Sequence, residues 1–171
     1  MPIRSQLSLF VPPSVAAEIE AIRRIVDPVQ HRLIPAHVTL CREDELAGFR
    51  LAECEARLGQ APPGPLTLQF GPPERFGEHG ILLPCVGGAD GFQSLREIVL
   101  GSRQARAHAP HLTLAHPRNP RAPRNSLDSA AALRAGLQVT FEAVHLIEQR
   151  DDDPWIVRAT IPLVASPPDP S

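Results

Sequence analysis

Two hexapeptides constrain this chain more than any other feature: PAHVTL at 35–40 and APHLTL at 109–114. Each sets a histidine and a threonine two residues apart among aliphatic neighbours, and the histidines, His37 and His111, lie 74 positions apart. Side chains of a β-strand alternate between its two faces. His37 and Thr39 therefore share one face, with Val38 and Leu40 on the other. His111 and Thr113 do the same against Leu112 and Leu114. Such a strand can rest its aliphatic side on a helix layer and leave its polar side to a cleft. Written twice, the pattern predicts two similar halves that contribute two imidazoles and two hydroxyls to one groove.

Twenty prolines mark the elements around these strands. Gln6–Val11 reads as a strand, and Pro12-Pro13 opens a helix with Ser14 as its candidate cap and Val15, Ile19, Ile22 and Val26 at helical spacing. Asp27-Pro28 separates it from the HVTL strand. Residues Glu43–Leu58, acidic at their start, predict a second helix. After the break at 61–64 come a strand at Leu66–Phe70, a polar loop at 71–80 and a strand at Ile81–Val86. A helix over Gly91–Ser102 leads to the HLTL strand. A Pro/Arg loop at 116–124, an Ala-rich helix at Leu127–Ala135, and strands at Leu137–Glu148 and Trp155–Leu163 complete the order, with RDDDP as an exposed turn.

This order predicts an α+β fold: one compact bilobal domain over residues 1–165 and a disordered tail at 166–171. A parallel β/α sheet is the competitor, but the chain has no Gly-rich phosphate loop to support it.

The 171 residues, 43% apolar and 21% charged, suit one globular domain. A net charge of −2 gives no basic field, which argues against nonspecific duplex binding. All 17 basic residues are arginine, the better fork for a phosphate. Cys41, Cys54 and Cys85 form no CxxC pair, the N-terminus has too short an apolar run for a signal peptide, and no stretch approaches membrane-span length. A cytoplasmic monomer without membrane contact is the expectation.

Near neutral pH one imidazole can accept a proton from an attacking oxygen while the other, protonated, delivers one to a leaving oxygen. The hydroxyls can hold non-bridging oxygens where charge develops. That suits a phosphodiester and requires neither metal nor cofactor. A single His-x-Thr would read as an ordinary structural histidine. Composition predicts roughly 0.2 such motifs by chance, against two with an aliphatic centre and a following Leu. Other candidates are weaker. Arg118, with Arg121 and Arg124, could grip a phosphate from a solvated loop. Arg75 beside Phe76 could pair a phosphate fork with a stacking ring, and Trp155 could stack a base or pack in the core. Cys41 falls on the His37 face by alternation, which admits a thiol nucleophile or a His/Cys zinc site, whereas His108, His111 and His116 would not share a face because Pro110 argues for a strand there.

HVTL and HLTL resemble the paired signature of the two-histidine (2H) phosphoesterase superfamily, especially its bacterial 2′,5′ RNA ligase-like and cyclic phosphodiesterase branch. The likeness runs over about residues 5–164 and extends to the LSLFVPPSV opening, PERFG, SLRE and the strand near the end. It implies two pseudo-symmetric, mainly antiparallel sheets with outer helices around a central cleft. It further implies His37 and His111 as the acid–base pair and Thr39 and Thr113 as phosphate ligands. The implied substrates are RNA ends or small cyclic nucleotides, opened at 2′,3′-cyclic phosphates or related esters. The implied alternatives are 2′,5′ RNA ligation or cleavage, and a catalytically weak nucleotide-binding module. The ligase branch often continues its first motif as HLTLRFLG. Here Cys41 holds that arginine's place, and simple alternation puts Arg42 on the opposite face.

Overall fold

The computed structural model describes residues 2–133 and 135–170. Met1, Arg134 within the expected Ala-rich helix, and Ser171 of the expected tail lie outside the described residues. In chain order the strands are β1 (Ile3–Phe10), β2 (His37–Cys41), β3 (Leu66–Phe70), β4 (Glu74–Phe76), β5 (Gly80–Gly87), β6 (His111–Ala115), β7 (Gln138–Phe141), β8 (Ala143–Arg150) and β9 (Ile156–Pro162). The helices are α1 (Pro13–Val26), α2 (Pro28–Leu33), α3 (Leu51–Gln60), α4 (Ala89–Leu100) and α5 (Leu127–Ala130).

Eight strands take the order β7-β3-β5-β6-β2-β1-β8-β9, with β4 pairing β5 off this path. Every pairing among the described residues is antiparallel, as expected for an α+β chain and unlike the parallel competitor. The order divides into two four-stranded halves about the β2–β6 contact, where Val38 stands opposite Leu112. The two His-x-Thr strands therefore lie side by side at the centre, each the inner strand of its own half.

Their aliphatic faces build the core. Val38, Leu40, Leu112 and Leu114 are all fully buried, each removing an aliphatic side chain from water for about 1.5–3 kcal/mol. Helix α1 packs on β6 and α4 on β2, so each half's helix backs the other half's motif strand and ties the halves together. The stripe Ile19, Ile22, Val26 of α1 is buried, as are Phe92, Leu95 and Val99 of α4.

Several elements differ from expectation for local reasons. Pro12 holds the N-cap of α1 and Pro13 its first position, so Ser14 sits inside the first turn and caps nothing. Asp27 does not simply break the chain; its carboxylate accepts the Gln30 N–H at 2.9 Å and starts α2. The helix expected over Glu43–Leu58 divides into a 3₁₀ turn at Glu43–Glu45 and α3, with Gly48 at φ +73° between them, a conformation that ends a right-handed helix. The polar loop at 71–80 contains β4, which forms a hairpin with β5. The strand expected over Leu137–Glu148 is two strands in different halves, because β7 pairs β3 while β8 pairs β1.

Candidate active site

Antiparallel pairing at Val38–Leu112 sets His37 opposite Thr113 and Thr39 opposite His111. The four polar side chains form a quadrilateral on the open face of the sheet, with the imidazoles on one diagonal and the hydroxyls on the other. Diagonal neighbours across an antiparallel pair stand about 7–8 Å apart at the backbone, a span suited to one tetrahedral anion. His37, Thr39, His111 and Thr113 all line a cleft of about 830 Å³.

The two histidines are held alike. His37 Nδ1 lies 2.8 Å from Pro35 O and His111 Nδ1 lies 3.2 Å from Ala109 O, each the carbonyl two residues upstream. A carbonyl only accepts, so Nδ1 carries the proton and donates it. The Nε2 lone pair of each neutral ring is left for the cleft. Both side chains are half-buried, and that accessible part opens into the cleft. Desolvation lowers the His37 pKa to about 4, with smaller contributions in the same sense from Arg23 and His111. Desolvation also lowers His111, and Arg42 adds to the effect. Both imidazoles are thus mostly neutral near pH 7.

Two buried arginines fix the approaches to these histidines. Arg23 of α1, fully buried, donates to Ile34 O at 2.9 Å and pairs with Glu20 at 2.8 Å. Glu20 in turn accepts the Ala36 N–H. Arg96 of α4, also fully buried, donates to Leu40 O, to Glu45 and to Arg106 O. Each helix therefore clamps backbone beside a motif strand. In the sequence these arginines interrupt otherwise apolar stripes and give no sign of this role.

Both motif strands carry a bulge that alternation alone does not reveal. Leu7 pairs Cys41 while Ser8 pairs Thr39, so β2 spends two residues against one step of β1. Ile81 pairs Ala115 while Leu82 pairs Thr113, the same irregularity in β6. A bulge reverses the facing of the residues beyond it. Cys41 turns into the core, fully buried, and burial pushes its thiol pKa up to about 12. Contrary to the alternation argument it does not share the His37 face, and it is poorly placed as nucleophile or metal ligand. Arg42 correspondingly comes round to line the cleft, and His116 does so after β6.

The remaining candidates separate clearly. Arg118 lines the cleft. Arg75 is engaged elsewhere: it donates to Asn125 Oδ1 at 2.7 Å and does not line the cleft. Phe76, His108 and Trp155 are at the cleft wall, with His108 and His111 rings 6.0 Å apart. Asp27, nearly fully buried, accepts from His116 N–H and from the Asn119 side chain, both at 2.9 Å, and so fixes the turn carrying His116 and Arg118. Arg4, Gln6 and Gln149, also at the wall, carry no motif that marks them in the sequence. The repeat itself offers the best signal for the wall: aligned through its sixth residue, HVTLCR and HLTLAH pair Arg42 with His116.

Strand order, central motif pair and symmetric cleft define a two-histidine phosphoesterase fold. The family model of the 2′-5′ RNA ligase superfamily matches residues 11–153, and the chain belongs to that superfamily. Among solved structures it is similar to E. coli LigT complexed with 3′-AMP, at 16% identity, covering 96% of this chain and all of that one, with TM-score 0.64. E. coli LigT complexed with phosphate gives 15% identity, 96% and 99% coverage and TM-score 0.62. A structure described only as a phosphoesterase gives 14%, 96% and 100%, and 0.54. At these identities the likeness is one of fold. No protein of curated function matches the chain in sequence.

Proposed function

We propose that this protein is a phosphodiesterase that opens 2′,3′-cyclic phosphates at RNA ends or on small nucleotides by two-histidine acid–base catalysis. The observation that carries the reading is the diagonal of two imidazoles, each with Nδ1 tied to a carbonyl and with no hydrogen bond to Nε2 among the described residues. Displacement at phosphorus runs roughly in line, so base and acid belong on opposite sides of the anion, and a diagonal supplies that. His37, held neutral by desolvation, takes the proton of the attacking water. The new P–O bond forms as one ribose P–O bond breaks, and His111 protonates the leaving ribose oxygen. His111 gains its proton as the anionic substrate enters, because a phosphate beside it offsets the desolvation that keeps it neutral. Thr39 and Thr113 donate to the non-bridging oxygens, with Arg42 and Arg118 adding charge at the cleft wall. The superfamily and the LigT complex with 3′-AMP support a nucleotide substrate.

Incubation with 2′,3′-cyclic nucleotides in EDTA is expected to release a single monophosphate isomer. His37→Ala and His111→Ala are each expected to lower kcat by about 10²–10⁴-fold. Full activity in either variant sinks the two-histidine mechanism. Cleaved tRNA halves supplied to the same preparation test the ligation alternative.

A further inference from the structure

The two motifs differ in one detail that their likeness hides: the first reads Pro-Ala-His and the second Ala-Pro-His. Each histidine donates from Nδ1 to the carbonyl two residues upstream, so the peptide unit it engages is Pro35–Ala36 for His37 and Ala109–Pro110 for His111. In the first unit the other end is the Ala36 N–H. In the second it is a proline nitrogen, which carries no proton. The C=O and N–H of one trans peptide unit lie in one plane and point in opposite directions. His37 can therefore be coupled through its peptide to an acceptor on the far side, and His111 cannot.

That acceptor is Glu20 of α1, whose Oε1 takes the Ala36 N–H. The chain of bonds runs from His37 Nδ1–H to Pro35 O, across the peptide, and from the Ala36 N–H to the carboxylate. Its peptide is held on both flanks, because Arg23 donates to Ile34 O at 2.9 Å and the Val11 N–H donates to Ala36 O at 3.0 Å. Arg23 from α1 and His31 from α2 also face the carboxylate, at 2.8 and 2.7 Å. Ala36 is buried, 2% exposed, so water does not compete for its N–H. Hydrogen bonds in series polarise one another, and a carboxylate on the N–H makes the carbonyl a stronger acceptor. The bond to His37 is accordingly shorter than its counterpart at His111, 2.8 Å against 3.2 Å.

We propose that Glu20 is a positioning residue for His37, acting through the Pro35–Ala36 peptide as the carboxylate of a catalytic triad acts directly on its histidine. It fixes the Nδ1–H tautomer and supports the positive charge that His37 acquires on taking a proton from water. No proton travels along the chain; the Nδ1 and Ala36 protons stay on their nitrogens. Pro110 denies His111 such support, which suits a group that must give its proton away. This rests on the phosphodiesterase reading and deepens it, because it ties the base to His37 and the acid to His111 by something other than desolvation.

Glu20→Gln keeps an oxygen for the Ala36 N–H and removes the charge. With 2′,3′-cyclic nucleotides kcat is expected to fall about two- to tenfold, the worth of one hydrogen bond, with KM within about twofold. The acid limb of kcat/KM is expected to move to lower pH, because the charge that favours the imidazolium is gone and Arg23 beside it is left uncompensated. A merely structural role lowers the amplitude and leaves the limb in place; that result, like an unchanged kcat, overturns the proposal. The unaltered chain gives a second test that needs neither turnover nor substitution. By NMR, the scalar coupling across the hydrogen bond from His37 Nδ1 to the Pro35 carbonyl is expected to exceed that from His111 Nδ1 to the Ala109 carbonyl. Equal couplings overturn the proposal. A larger coupling at His37 in a protein that hydrolyses nothing removes the proposed reaction and keeps the Glu20 chain. Hydrolysis with equal couplings does the reverse.

Discussion

The neutrality of the desolvated His37 carries a stability cost in acid that can be measured. Desolvation is the main cause of its low pKa, and it brings the imidazole from 6.5 to about 4. In the unfolded chain the same residue titrates at its ordinary value. Between those two pH values the unfolded state binds more protons, so stability rises with pH across the window and falls as pH drops through it. At pH 4.5 the unfolded imidazole is almost fully protonated and the folded one mostly not. The linkage integral then costs about 2.5 kcal/mol relative to pH 7.5, and water entering the open cleft trims this to about 2 kcal/mol. His37→Gln removes the titration while keeping a side-chain N–H that can reach Pro35 O. Urea unfolding at pH 7.5 and pH 4.5 should therefore show a smaller acid loss in the variant than in the wild type, by about 2 kcal/mol. His108, His111 and His116 are also depressed, but they remain in both proteins and drop out of the comparison. Acid losses equal within 0.5 kcal/mol (about the usual uncertainty of such a difference) refute the desolvated neutral imidazole. A His37 proton resonance titrating near 6.5 does the same.

Two further substitutions probe the frame. Arg96→Met removes the side-chain donor of the Leu40 and Arg106 carbonyls and leaves the Glu45 carboxylate, only 10% exposed, with the Arg42 N–H at 2.9 Å and Arg106 at 3.7 Å; unfolding should show a loss of about 2–4 kcal/mol, and a loss under 1 kcal/mol contradicts the clamp. Cys41→Ala should leave kcat within about twofold of wild type, and native Cys41 should resist iodoacetamide, because a thiol with its pKa near 12 is scarcely ionised. Rapid native alkylation of Cys41 refutes its core placement.

How much of the fold and site is legible in residues alone depends on which physical rules leave a one-to-one trace in sequence. Period-two alternation does, and it separates His37 and Thr39 from Val38 and Leu40 correctly. A bulge does not, because one extra residue appears only as two adjacent buried positions. Leu40-Cys41 and Leu114-Ala115 are such pairs, but Cys and Ala are small enough to stand on either face. Reversed parity after the bulge is why simple alternation turns Arg42 away from the cleft that it in fact lines. The crossing from β7 to β8 leaves a clearer trace: buried Val139 and Phe141 are succeeded by buried Val144, a change of phase at Glu142 that a continuous strand forbids. Arg23 and Arg96 are hidden because helical periodicity treats a charge in an apolar stripe as an interruption, whereas here each is the buried clamp beside a motif strand.

The two-fold pattern also limits what the motif can decide. A quadrilateral of two histidines and two threonines related by a pseudo-dyad looks the same to a substrate entering in either direction. Discrimination between the two sides of a phosphodiester therefore has to come from residues that break the symmetry. They begin immediately after the bulges, with Arg42 at one end and His116 at the other, and extend to Arg4, Gln149 and Trp155 on the His116 side alone. Desolvation lowers the pKa of both histidines and so does not by itself tell base from acid. In the proposed reaction, the choice of which ribose oxygen leaves therefore falls to the residues that differ between the two ends of the cleft.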